Sequence, residues 1–305
     1  MTRISELALQ QILLQGFQRN QESAIDNQIR LSTGDRFQSY AGYGADTLRL
    51  LSSEGVVTRA TAYESAANVA QTRLDAQETT ITTIMNAVGS IREAFVAALS
   101  TGASEQLTPQ IESATQQILT AANTKIGGTY IFGGTDGSRP PVDARSISDL
   151  TAAGDVADLF SEGAPLQLAV AEGQQISGGP VASDIVGELL GGLQGLSQNL
   201  SALGPLDGTL TAPQRDEILM RAETFGAIEA DLVQTLGVLG VSQFQASEAV
   251  SSNRSQRDYA EVVASEIEDA DIAEVVARLN QDQLAIQAAA QALSQASELS
   301  LLNFI

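Results

Sequence analysis

The apolar positions of this chain fall mostly three, four or seven apart, which is the spacing of one helix face. Ile4, Leu7, Leu14, Phe17, Ile25 and Ile29 predict a first helix over residues 4–31, ended by Ser32-Thr33-Gly34-Asp35 with Gly34 as its C-cap. Residues 37–45 carry two glycines and two tyrosines but no stripe, and read as a loop. From Asp46 to about Ser100 there is no proline, and Val69, Leu74, Ile81, Ile84, Val88, Ile91, Phe95 and Leu99 form one long stripe. At 1.5 Å per residue such a helix spans about 80 Å. Thr108-Pro109 predicts the cap and first position of a further helix, running to about Lys125 with Ile111, Ile118, Leu119 and Ala122 on one face.

The pattern then changes. The segment from Gly127 to Gly134 holds a short β-prone core between glycine pairs. Residues 136–181 add Pro140-Pro141, many glycines and a strand-like alternation from Leu166 to Val170, so a small β-rich insertion is expected there. Its ends lie near Gly133-Gly134 and Ser183, the expected cap of the next helix. A module attached at two neighbouring points can be cut out at little loop-closure cost. Val186, Leu189, Leu190, Leu193, Leu196 and Leu200 restore a helical stripe, and Thr211-Ala212-Pro213 opens another helix after a loop with Pro205 and Gly208. Gly237 and Gly240 allow a break or a tight helix contact. Ile272, Leu279, Ile286 and Leu293 recur every seven residues, one seam of a coiled coil.

These elements predict a mainly α fold with a small β insertion. Narrow stripes at both ends must be buried by something, and the economical solution packs the ends on each other. The expected division is an inner coiled-coil part from residues 1–45 and 265–305, a helical bundle with a β-hairpin from 46–135 and 182–264, and the insertion, 136–181.

Composition narrows the chemistry. The 305 residues include 37 acidic and 16 basic side chains, a formal net charge of -21, and Lys125 is the only lysine. Such a surface repels nucleic acid and anionic membrane, so neither is expected as a partner. There is no histidine or cysteine, which removes the usual general base, the commonest metal ligand and all thiol chemistry. The Gly127–Gly137 stretch lacks the phosphate-loop pattern. The acidic run Glu266, Glu268, Asp269, Asp271 lacks calcium-loop spacing, and reads as a helix start capped by Asp269 or Asp271. No enzyme activity, metal or cofactor is expected. Met1–Asn20 has no long apolar core or cleavage site, so no cleaved signal peptide is expected. No apolar run approaches the roughly 20 residues of a spanning helix.

Two segments carry a resemblance. Leu31-Ser32-Thr33-Gly34-Asp35-Arg36 is similar to the L-S-T-G-x-R signature of bacterial flagellins, and Ser265-Glu266-Ile267-Glu268-Asp269-Ala270-Asp271 to their S-x-I-E-D-A-D signature. Gly240-Val241-Ser242-Gln243 lies where that family carries a G-A-x-Q segment. Gln38–Asp46 departs from the S-A-x-D-D-P-like continuation of filament flagellins. Tyr130-Ile131-Phe132-Gly133-Gly134-Thr135 and the ending Leu299–Ile305, which has no proline, look more like the hook-associated members, which join hook to filament.

The resemblance implies a structural, self-assembling protein of the extracellular flagellum, exported through the flagellar type III apparatus. It also implies terminal helices that are disordered in the monomer and form a coiled-coil tube on assembly. Leu31, Gly34, Ile267, Asp269, Ile272, Leu279, Ile286, Leu293, Leu301 and Leu302 are then the expected assembly residues. Expected partners are further copies of the chain, another hook-associated protein, flagellin and a flagellar export chaperone. The alternatives are a major filament flagellin or, in another class, a coiled-coil adhesin or binding module.

Overall fold

A computed structural model describes residues 2–204, 206 and 208–302, with side chains for residue 8 and residues 11–204, 206 and 208–295. Among the described residues seven helices dominate: α1 (Thr2–Thr33), α2 (Thr47–Thr101), α3 (Leu107–Ala122), α4 (Ile147–Ala152), α5 (Ala182–Leu203), α6 (Ala212–Glu268) and α7 (Ile272–Leu302). Two antiparallel hairpins complete the fold: β1 (Lys125–Ile126) with β2 (Thr129–Tyr130), and β3 (Gln167–Ala171) with β4 (Gln174–Ser177). The chain divides into two compact units, residues 60–255 and residues 1–59 with 256–305.

The larger unit is built on the long stripe of α2. Leu74, Ile81, Ile84, Val88, Ile91 and Phe95 are fully buried, and Ile218, Phe225, Ile228, Leu232 and Leu239 of α6 join the same core. Phe95 and Phe225 meet edge to face at 5.7 Å, the geometry their ring quadrupoles favour. Beside them Arg92 pairs with Glu229. Between the buried rows α2 carries many threonines. Thr72, Thr79, Thr82 and Thr83 donate their hydroxyls to carbonyls four residues back and so satisfy themselves on the helix surface, and the buried Thr80 does the same. Val69, expected on the stripe, is 66 % exposed instead.

Helix starts differ from their sequence signals. Leu107 is buried and its N–H reaches Ser104 O, so α3 begins one residue before Thr108. Pro109 still sits in the first turn, where no N–H is needed. The cap of α5 is Val181, not Ser183, and valine has no acceptor to offer. The Glu162 carboxylate supplies one, accepting the Ser183 N–H at 3.0 Å and its hydroxyl, while Asp184 accepts the Val181 N–H at 3.2 Å. Thr211 does open α6 as expected: it accepts from Gln214 N–H, and Gln214 Oε1 accepts from Thr211 N–H. Gly237 and Gly240 neither break α6 nor meet a neighbour, since a Cβ on either would touch nothing within 4 Å.

By composition α6 is the one described helix with a stretch apolar enough to cross a membrane, with a mean hydropathy of 1.2 over 18 residues. The expectation of no such segment considered unbroken apolar runs. In α6 the apolar residues divide between a core face and an outward face carrying Val238, Val241 and Phe244, with Glu229 and Asp231 among them.

Residues 136–181 hold one hairpin, the short helix α4 and a 3-10 turn at Val156–Leu159. Val142, Leu150, Val156, Val170 and Ile176 belong to the same hydrophobic core as α2 and α6. Polar side chains of the bundle fasten both ends of the segment. Arg73 donates to Ile131 O at 2.6 Å and Gly178 O at 3.2 Å, and the fully buried Gln77 donates to Ile131 O at 2.7 Å. Burial holds the Arg73 guanidinium below its usual pKa. Asn253 of α6 reaches Val170 O at 2.8 Å. Gly134 has φ +60°, and a Cβ there would lie 2.5 Å from the carbonyl oxygens of Gly163 and Ala164. The segment is therefore woven into the core, and it is not a detachable module.

Candidate assembly site

The two signature segments, whose nearest residues Arg36 and Ser265 are 229 positions apart, close on each other. Gly34, at φ +86°, ends α1 by donating its N–H to Arg30 O at 2.9 Å. A left-handed turn of this kind costs glycine little. The chain then runs antiparallel to the end of α6. Asp35 and Asp269 form a β-bridge, Arg36 N–H donates to Glu268 O at 2.6 Å, and Ala270 N–H donates to Gly34 O at 2.8 Å. Asp271 caps α7, accepting the N–H groups of Ala273 at 2.9 Å and Glu274 at 3.1 Å. Asp269, the other expected cap, instead accepts from the Ser265 hydroxyl.

Behind this clasp lies a small core of Tyr43, Leu50, Ala264 and Ile267, with Phe37 packed on it. Residues 40–46, expected as a loop, form a 3-10 turn that delivers Tyr43 to this core. Phe37 and Tyr43 meet edge to face at 5.1 Å, and Tyr43 donates its hydroxyl to Phe37 O at 3.2 Å. The guanidinium carbons of Arg30 and Arg36 each lie 5.5 Å from the Phe37 ring centre, within cation–π range. Burial, with help from Asp35, Glu54 and Asp269, raises the Glu268 pKa above the usual carboxylate value. Burial likewise raises Tyr43, and a hydrogen bond to Glu54 at 3.0 Å raises Tyr40. A cleft of about 540 Å³ opens beside the clasp, lined among others by Asn27, Arg36, Phe37 and Arg278.

Beyond the clasp α1 and α7 pair along a seam. On α7, Val275 is buried and Leu279, Asp282, Ile286, Ala289 and Leu293 are half-buried, alternately four and three apart. On α1 the matching positions are Leu13, Phe17, Asn20, Ala24 and Asn27. Ile272, the first residue of the expected seven-residue series, is 46 % exposed, because the chain has only just turned into α7. Leu31 is exposed, and Ile267 and Gly34 sit in the clasp. Leu301 and Leu302 continue the α7 backbone, but their side chains, and Asn303–Ile305, lie outside the described residues. Along this seam α1 and α7 are paired, each covering part of the other's apolar face.

Phe37, Tyr43, Asn27 and Asp282 were missed by the sequence reading. Only Asp282 left a signal, since Val275, Asp282 and Ala289 are spaced by seven like the series beside them. Among the described residues, no cluster of three acidic side chains is arranged to hold a metal ion.

Residues 4–136 match the profile of the bacterial flagellin N-terminal helical region, and residues 226–305 that of the C-terminal helical region. The chain belongs to the flagellin family. It is a structural protein of the bacterial flagellum, and flagellins are not enzymes. Both halves of the clasp lie inside the matched regions, whereas residues 137–225 lie outside both. No curated protein sequence matches the chain.

Among solved structures, a chain described as a flagellar hook-associated protein of Vibrio parahaemolyticus is similar over 75 % of this chain and 100 % of its own. Its TM-score is 0.63 at 15 % identity, a likeness of fold. FlgL of Bacillus cereus aligns over 70 % of this chain and 98 % of its own, with a TM-score of 0.41 at 12 % identity.

Proposed function

We propose that this flagellin-family chain is the subunit that joins hook to filament, assembling through its terminal helices and leaving the cell by flagellar type III export. The observation that carries the reading is the segment Tyr130–Thr135, which resembles the hook-associated members. Its Ile131 and Phe132 are buried, and Arg73, Gln77 and Gly134 fix its backbone as the root of the insertion. The likeness of fold to a protein described as hook-associated supports the same reading. Residues 1–45 and 265–305 form the inner, assembling part, 46–135 and 182–264 the outer bundle, and 136–181 an insertion whose apolar residues complete the bundle's core.

In this reading the clasp residues Gly34, Ile267 and Asp269 hold α1 and α7 in place, and apolar residues left outside the seam, such as Leu14 and Ile25, meet neighbouring copies. Leu31 and Ile272 complete the assembling surface, Leu279, Ile286 and Leu293 hold the α1–α7 seam that supports it, and Leu301 and Leu302 extend the assembling helix. Its partners are further copies, another hook-associated protein below and flagellin above, with an export chaperone before secretion. Electron microscopy of cells lacking the protein tests the role. Bare hooks with flagellin shed into the medium are expected; normal filaments on those hooks would overturn the reading.

A further inference from the structure

We infer that Asp136–Gly137 is a latent site of backbone isomerisation, held unreactive by Ser138 and Arg139. An aspartate followed by glycine is the dipeptide most prone to this change, because glycine puts no side chain beside its nitrogen. The Gly137 nitrogen attacks Asp136 Cγ and a C–N bond forms. The carboxyl hydroxyl leaves with the amide hydrogen as water, and a five-membered succinimide remains. Water then opens one of its two carbonyl–nitrogen bonds. One opening returns aspartate; the other gives isoaspartate, whose main chain runs through the side-chain carbon. The attack needs the neutral carboxylic acid and a side chain free to turn toward the nitrogen.

The turn around this pair leaves no room for such a change. A Cβ on residue 137 would lie 2.2 Å from Thr129 Cγ2, so glycine lets the chain pass close over β2. Gly137 O accepts the Tyr130 N–H at 2.9 Å, Asp136 N–H donates to Gly133 O at 3.1 Å, and Thr135 N–H donates to Ala164 O at 2.9 Å. A main-chain carbon added at Asp136 would pull these bonds apart at the root of the insertion. The carboxylate is held on both oxygens. Oδ1 accepts the Ser138 hydroxyl at 2.7 Å and the Ser138 N–H at 3.3 Å, and Oδ2 accepts Arg139 Nε at 3.0 Å and Nη2 at 2.6 Å. Donors on both sides stop Cγ from turning onto the Gly137 nitrogen. Water in their place would hydrate the carboxylate but not fix its direction. The same donors favour the charged form, and bring its pKa from 3.8 down to about 2. At neutral pH the acid form is then rarer than in a free aspartate by a factor on the order of 10–100. This inference rests on the folded bundle and does not depend on the hook–filament role.

Isoaspartate is located by peptide mapping after the full-length chain is incubated at neutral pH and body temperature. A synthetic peptide of residues 130–141 gives the unguarded rate. Asp136 should isomerise severalfold more slowly in the chain than in the peptide. Ser138→Ala with Arg139→Ala should bring the chain's rate close to the peptide's while circular dichroism shows the helices retained. Asp207–Gly208, the only other Asp–Gly pair in the sequence, reports general loosening, and its rate should not change. If the double variant loses its helices, Arg139→Gln is read in its place and should also speed the reaction at Asp136. The inference is overturned if Asp136 reacts as fast in the natural chain as in the peptide, if the variants leave its rate unchanged, or if both Asp–Gly pairs speed up together.

Discussion

Glu268 shows how a single residue of the clasp responds to pH. Its carboxyl is raised above its unfolded value by burial and by Asp35, Glu54 and Asp269. The folded state therefore holds this proton more tightly, and stability falls as pH rises from the unfolded value, 4.5, through the folded one. Glu268→Gln should remove that slope and raise the stability of the terminal unit at neutral pH by less than about 1 kcal/mol. Thermal unfolding at pH 4 and pH 7 measures it; a variant less stable than the natural chain at pH 7 would refute it. Asp136 behaves oppositely. Hydrogen bonds from Ser138 and Arg139 hold it down to about 2, so its contribution is present at neutral pH and is lost as pH falls toward that value. At this scale the sequence revealed what depends on near neighbours, such as the Asp271 cap. It concealed Glu162, which caps a helix beginning 20 positions further along, because nothing local marks a carboxylate as another helix's acceptor.

Among the elements, α7 depends most directly on pairing. Ile286 is half-buried in the seam with α1, on a helix that otherwise packs little. Ile286→Asp sets a second carboxylate one turn from Asp282. It should cost on the order of 2 kcal/mol or more, loosen the α1–α7 pair and abolish assembly. Circular dichroism should show fewer helical residues in the free chain, and sedimentation should show no polymer; unchanged helicity would mean that α7 is helical without α1. Helix periodicity was legible because narrow stripes are written at fixed spacing, and α2, α5 and α7 follow it. The start of α3 and the cap of α5 were not, because tertiary burial of Leu107 and the distant Glu162 override the local capping signals.

On the scale of the molecule, the insertion is tied to the bundle by apolar packing and by Arg73, Gln77 and Asn253. Replacing residues 136–181 with a glycine–serine linker should uncover the core around Leu150, Val170 and Ile176. A fully buried Leu, Ile or Val contributes about 1.5–3 kcal/mol, so a loss of several kcal/mol is expected. A denaturant midpoint within error of the natural chain would show the segment to be dispensable. Its composition announced a departure from helix, but not whose core it completes, since that depends on contacts with residues as remote as Asn253. The packing of the two ends on each other was expected, but the backbone clasp between the signature segments was hidden, because each reads as an ordinary helix end.

The seam also sets an order of events during synthesis. Asn27 and Asp282 are 255 positions apart. At ~5–20 residues per second, α1 leaves the ribosome roughly 13–50 s before the residue that accepts the Asn27 hydrogen bond exists. For that interval the nascent chain carries the apolar residues of α1 without α7 beside them, open to any receptor that binds an amphipathic helix.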